Sequence, residues 1–115
     1  MSDINNLTKR IIDFRDARDW KKFHNSKDVA LSLSLEAAEV LEHFQWKNGE
    51  ELEEYIKSHK EHIGEELADV LYWVLLMSHD LNINIVQSLS NKMDKNEEKY
   101  AIEKAKGNHK KYNEL

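Results

Sequence analysis

Not one proline occurs in 115 residues, and glycine stands at only three positions, Gly49, Gly64 and Gly107. Those two residue types end helices and shape tight turns, so a chain nearly free of both is committed to long helices. Strand-type alternation of polar and apolar residues is rare as well. The fold expected is all-α: four principal helices in a bundle, one extra short helix and a polar C-terminal tail. The first helix is read from about Asp3 to Arg18, with Ile4, Leu7, Ile11, Ile12 and Phe14 on its apolar side. Ser26 is placed to cap a long second helix running to about Trp46. Lys47-Asn48-Gly49 is the clearest break, followed by a short, very acidic helix from Glu50 to Ser58. A longer helix runs from about Lys60 to Leu81, and Asn84 with Gln87 has capping-box spacing for a last helix to about Lys99. Residues 1–115 are read as one domain, whose tail from about Ala101 to Leu115 is loosely ordered or packed on a partner chain.

Composition excludes several chemistries. The chain has no cysteine, so thiolate zinc, iron–sulfur and cysteine-nucleophile sites are out of reach. Neither GxGxxG nor GxxxxGK can be written with its glycines, which removes the glycine-cradle phosphate loops. Seventeen basic against 22 acidic residues give a net charge of −5, unlike a nucleic-acid-binding surface. No signal peptide is read in the first eighteen residues, and the most apolar stretch, Leu67 to Met77, is too short for a bilayer. A soluble, cytoplasmic protein with no membrane partner is the expectation.

The informative residues are two carboxylate pairs. Helix two carries Glu36-x-x-Glu39 and helix four carries Glu66-x-x-Asp69, and a spacing of three puts each pair on one side of its helix. Such pairs are usually a solvated face. Here Ser32, Glu36, Glu39 and His43 form a polar stripe roughly 60° wide between apolar flanks. Leu31, Leu35, Val29, Leu33, Val40 and Phe44 supply those flanks. Asp69 is the one charge between Leu67 and Met77, in a stretch apolar nearly all round and so expected to be buried. Four bare carboxylates in an interior repel one another and lose hydration, so protons or a divalent cation must join them. Oxygen-only ligands suit a hard ion, Mg²⁺ or in its place Mn²⁺, and Mg²⁺ readily takes phosphate oxygens as further ligands. Ferritin-type di-iron sites are disfavoured, because no histidine follows a glutamate by three.

Around these pairs the sequence resembles a known family. Arg18-Asp19-Trp20 and Phe23-His24 are followed by Glu36-Ala37-Ala38-Glu39 and Phe44-Gln45-Trp46. Downstream come Glu65-Glu66-Leu67-Ala68-Asp69, Lys92-Met93-x-x-Asn96 with Tyr100, and Lys104-Ala105-Lys106-Gly107. In that order, over about residues 14–107, they resemble the all-α MazG-like nucleoside triphosphate pyrophosphohydrolases, most of all the dCTP-pyrophosphatase-like branch. The resemblance implies hydrolysis of a (deoxy)nucleoside triphosphate to monophosphate and pyrophosphate, in cleansing of the nucleotide pool. It implies that Glu36, Glu39, Glu66 and Asp69 hold Mg²⁺, and that Glu39 or Glu36 takes the proton of the attacking water. Trp20 and Trp46 are placed by it at the base pocket, while Trp73 is either a stacking surface or plain core. Lys92, Asn96 and Tyr100 share one face of the last helix, suited to phosphate or sugar oxygens or simply to solvent. His24 and Lys27 either reach a phosphate or finish the turn. A homo-oligomer, dimer or dimer of dimers, is also implied. Two rival readings remain: a non-catalytic helical module with acidic grooves, and a hydrolase of another phosphorylated metabolite.

Overall fold

A computed structural model of the chain describes residues 2–110; among these every regular element is a helix. Helix α1 spans Asp3–Ala17, and the Ser2 side chain accepts a hydrogen bond from the Asn5 backbone N–H at 3.2 Å to start it. A 3-10 turn, Lys21–Phe23, leads into α2, Ser26–Glu42. The cap of α2 is Asn25 rather than Ser26: its side-chain oxygen accepts from the Asp28 N–H at 2.9 Å. Both residue types can cap, and a shift of one position is the whole difference.

Helix α2 stops at Glu42, four residues short of the sequence expectation. Residues 43–46 form a turn instead, and Trp46 takes a left-handed backbone, φ 70°. Gly49 has φ 56° as α3 (Gly49–Ser58) begins, a conformation that costs glycine little and other residues more. Helix α4 runs over Lys60–Asp80, ending one residue before Leu81. Asn82, at φ 56°, makes the following turn. Helix α5 is Ile85–Lys99, capped as expected by the Asn84 side chain accepting from the Gln87 N–H at 3.1 Å. In the tail, α6 spans Ile102–Ala105; residues 111–115, on which part of the tail expectation falls, lie outside the described residues.

The backbone divides into two compact units, Met1–Asn82 and Ile83–Leu115. In the first, α4 is the axis against which α1, α2 and α3 pack. Its buried core is small: Val29 from α2, with Leu75 and Leu76 from the C-terminal half of α4. Each of these side chains contributes on the order of 1.5–3 kcal/mol by leaving water. Beside them lies Arg15, 1% exposed, whose guanidinium bonds the Asp80 carboxylate at 2.7 Å and ties α1 to the end of α4. Ser78 is buried because its hydroxyl donates back to the Val74 carbonyl at 2.7 Å.

The N-terminal half of α4 departs from the expectation of burial on every side. Leu67 is 54% exposed and Leu71 43%. On α2, Leu31 and Leu35 are exposed as well. In both helices the spacing of four puts the two leucines on one face, and a single chain leaves that face uncovered. In the second unit α5 likewise exposes Val86, Leu89 and Met93.

Candidate metal centre

Packing of α2 against α4 brings the two carboxylate pairs together. One oxygen each of Glu36, Glu39, Glu66 and Asp69 lies within 4.8 Å of the others. Burial is uneven: Glu36 and Glu66 are half-buried, Glu39 and Asp69 exposed. An interior position for all four is therefore corrected to a half-sunken cluster, open to water on one side, beside uncovered leucines. The inner oxygens are nevertheless sealed. Oε2 of Glu36 and Oε2 of Glu66 are shut off from solvent and have no hydrogen-bond partner among the described residues.

The electrostatics follow from that crowding. Glu66 is pushed up to about 7, foremost by hydrogen bonding with the neighbouring Glu39 carboxyl, which favours the protonated form. Desolvation and the charges of Glu39, Asp69 and Glu36 push the same way. Glu36 is raised too, first by burial and then by its hydrogen bond with Glu39 and the charges of Glu39 and Asp69. Two acids that resist ionisation beside two exposed carboxylates form a site in want of positive charge. A divalent cation held by Glu36, Glu39, Glu66 and Asp69 would satisfy the orphaned oxygens and offset the repulsion. The all-oxygen donor set suits a hard cation, so these residues fit a metal ion of that class.

Two cavities share these residues. An apolar one of about 410 Å³ between α1 and α4 is walled by Leu7, Ile11, Phe14 and Tyr72, with Arg10 and Asp69 as its charged members. A polar one of about 440 Å³ is lined by Glu39, Glu42, His43, Tyr55 and Glu66. Trp20 approaches the first only indirectly: its ring meets the edge of Phe14 at 5.6 Å, and Phe14 also carries the Arg18 guanidinium at 3.8 Å. Sequence reasoning placed Phe14 on the apolar face of α1 and did not single out Tyr72, which lies unmarked in an apolar run.

The other sequence candidates are distributed as follows. His24 and Trp73 are brought together, edge to face at 5.5 Å. The His24 Nδ1 is buried and unpartnered, and burial, followed by the nearby Arg15 charge, lowers this histidine's pKa. Trp73 also meets Tyr72 edge-on at 5.0 Å, so packing is part of its role. Lys27 is exposed, its ammonium 3.9 Å from Asp28. Trp46 is 87% exposed and lines neither cavity. Lys92, Asn96 and Tyr100 belong to the second unit, where the Tyr100 N–H donates to the Asn96 carbonyl and ends α5.

A family model for MazG-like proteins matches residues 31–115. The chain belongs to the MazG-like family. Among its relatives is dCTP pyrophosphatase 1, 32% identical over 105 residues in mouse and in human, covering 90% of this chain. The chain spans 62% of the length of those relatives. A solved structure, a pyrophosphatase from Archaeoglobus fulgidus, superposes with a TM-score of 0.82 at 38% identity, covering 88% of this chain and 94% of that one. This MazG-like chain thus shares both sequence and all-helical fold with proteins named for pyrophosphatase activity.

Proposed function

We propose that this protein is a Mg²⁺-dependent nucleoside triphosphate pyrophosphohydrolase. It hydrolyses the α–β anhydride of a (deoxy)nucleoside triphosphate, prefers deoxynucleotides (dCTP or a related or modified one), and cleanses the cytoplasmic nucleotide pool. The supporting observation is the cluster itself: four carboxylates within 4.8 Å, with two sealed, unpartnered oxygens. Glu36, Glu39, Glu66 and Asp69 would hold Mg²⁺, or Mn²⁺ in its place. The ion, when bound, supplies positive charge to phosphate oxygens and makes nearby water more acidic. Glu39 is the candidate base: it belongs to the cluster and is exposed to solvent. Glu36, half-buried, is the alternative. Water adds across the anhydride, its oxygen to one phosphorus and its protons to the base and the leaving phosphate.

The apolar cavity suits the nucleoside, with ring-sized walls at Ile11, Phe14 and Tyr72 and Asp69 at the metal end. Trp20 and Trp73 are assigned to the base and His24 and Lys27 to a phosphate, while family resemblance assigns Lys92 and Asn96, with Tyr100 on the same face, to phosphate or sugar oxygens. The uncovered faces of α2 and α4 support a homo-oligomer, which would cover Leu31, Leu35, Leu67 and Leu71 and give exposed Trp46 something to touch. Sedimentation as a monomer at micromolar concentration would remove that part of the reading. The deciding experiment is a panel of canonical and modified dNTPs and NTPs with Mg²⁺, scoring monophosphate and pyrophosphate. Release of both in equal amounts is expected; no release from any member overturns the assignment.

A further inference from the structure

The polar cavity holds a feature that the four carboxylates do not explain. His43 follows the last residue of α2, and its Nδ1 lies 2.7 Å from the Tyr55 hydroxyl on α3. Tyr55 is itself held firmly. Its ring stacks on His59 with centroids 3.9 Å apart and planes 9° from parallel. The Lys47 ammonium stands 4.3 Å from the same ring centre. A hydroxyl gripped in this way fixes the imidazole it touches. When Tyr55 donates to Nδ1, the His43 ring carries an N–H at Nε2, which makes no hydrogen bond among the described residues. His43 and Tyr55 form one part of the wall of the 440 Å³ cavity, and Glu39 and Glu66 form another.

The cavity thus sets an imidazole that can present an N–H beside two of the acids assigned to the metal. We propose that it receives the pyrophosphate half of the substrate, His43 donating from Nε2 to a non-bridging phosphate oxygen and Tyr55 acting as the positioning residue. The inference rests on the pyrophosphohydrolase reading. Three glutamates line this cavity, and an anion enters it only once a cation has neutralised Glu39 and Glu66. Binding of pyrophosphate here is therefore conditional on the metal, while the donor end selects phosphate over other ligands.

The test uses the full chain with Mg²⁺ and inorganic pyrophosphate as the probe, by titration calorimetry, with Mg²⁺ affinity and circular dichroism measured in parallel. His43→Ala is expected to weaken pyrophosphate about ten-fold and to raise KM for the triphosphate similarly, the loss of one hydrogen bond to a charged group. Tyr55→Phe keeps the stacking and is expected to give a smaller loss of the same sign, about three-fold. His43→Gln, which retains a donor, recovers part of the affinity. Inhibition by the nucleoside monophosphate stays at the wild-type level in all three. Wild-type pyrophosphate affinity in a folded His43→Ala protein overturns the proposal, as does an equal loss of pyrophosphate and monophosphate, which marks a structural role. Loss of Mg²⁺ affinity also overturns it, since His43 is then a ligand. If the wild-type protein turns over no triphosphate, the pyrophosphohydrolase reading itself fails. Turnover by wild type with an unaffected His43→Ala variant sinks only the inference drawn here.

Discussion

The two ends of α4 treat charge in opposite ways. At the C-terminal end Asp80 faces a guanidinium: Arg15, 1% exposed, holds it at 2.7 Å, and Asp16 adds a second carboxylate 3.4 Å from the Arg15 Nε. At the other end Glu66 and Asp69 face two more acids, with a sealed and unpartnered oxygen on Glu66 and another on Glu36. The first arrangement pairs opposite charges within the folded chain and holds α1 to α4, although the Arg15 Nε makes no hydrogen bond among the described residues. The second is incomplete by construction, since like charges gathered in partial shelter lower stability unless something positive arrives. A helix that satisfies one end and leaves the other wanting separates structural charge from chemical charge.

The largest effect expected from breaking this contrast is on turnover. Glu39→Ala or Asp69→Ala should lower kcat at least about a hundred-fold in a pyrophosphate-release assay, while helicity by circular dichroism is unchanged. Metal-free stability should hold or rise, because one repelling charge has gone. A variant with near-wild-type kcat would mean that the cluster is not the catalytic centre. The opposite pattern belongs to the other end. Asp80→Ala strands a buried guanidinium and should cost about 3 kcal/mol in denaturant unfolding. Residual folded enzyme should retain its kcat. A loss below about 1 kcal/mol would show that Asp16 and water replace Asp80 adequately.

Which of these features the sequence revealed depends on how local their signals are. The carboxylate pairs were legible because i, i+3 spacing and their apolar flanks lie within two turns of helix. The break at Lys47-Asn48-Gly49 and the Asn84 cap were legible for the same reason. Arg15 was not, since its partner is 65 residues away and nothing nearby distinguishes it from the exposed Arg10 of α1. Tyr55 and His43 meet across a helix break, and no periodicity links them. The early end of α2 was also hidden, because Trp46 takes a left-handed backbone that no tryptophan announces. Depth was overestimated at the cluster: apolar flanks mark a face that seeks cover, and within this chain Leu35, Leu67 and Leu71 remain exposed.

The finest distinction between the two ends is in proton linkage. Glu66 is raised to about 7 in the folded protein against an ordinary 4.5, so the folded state binds its proton more tightly than the unfolded state. Its stabilising share is complete below pH 4.5 and is lost as pH rises through 7. His24, near Arg15, is shifted downward by burial, so its share runs the other way and is lost as pH falls below 6.5. The two slopes oppose each other in wild type and are separated by substitution. In metal-free buffer, stability of wild type relative to Glu66→Gln should decline between pH 4.5 and 7. Relative to His24→Phe, which keeps an aromatic ring beside Trp73, wild type should instead lose stability toward lower pH. Saturating Mg²⁺ should abolish the first difference and leave the second intact, because only the carboxylate end can exchange its protons for a cation. Persistence of the Glu66 slope in Mg²⁺ would show that the ion does not enter this cluster.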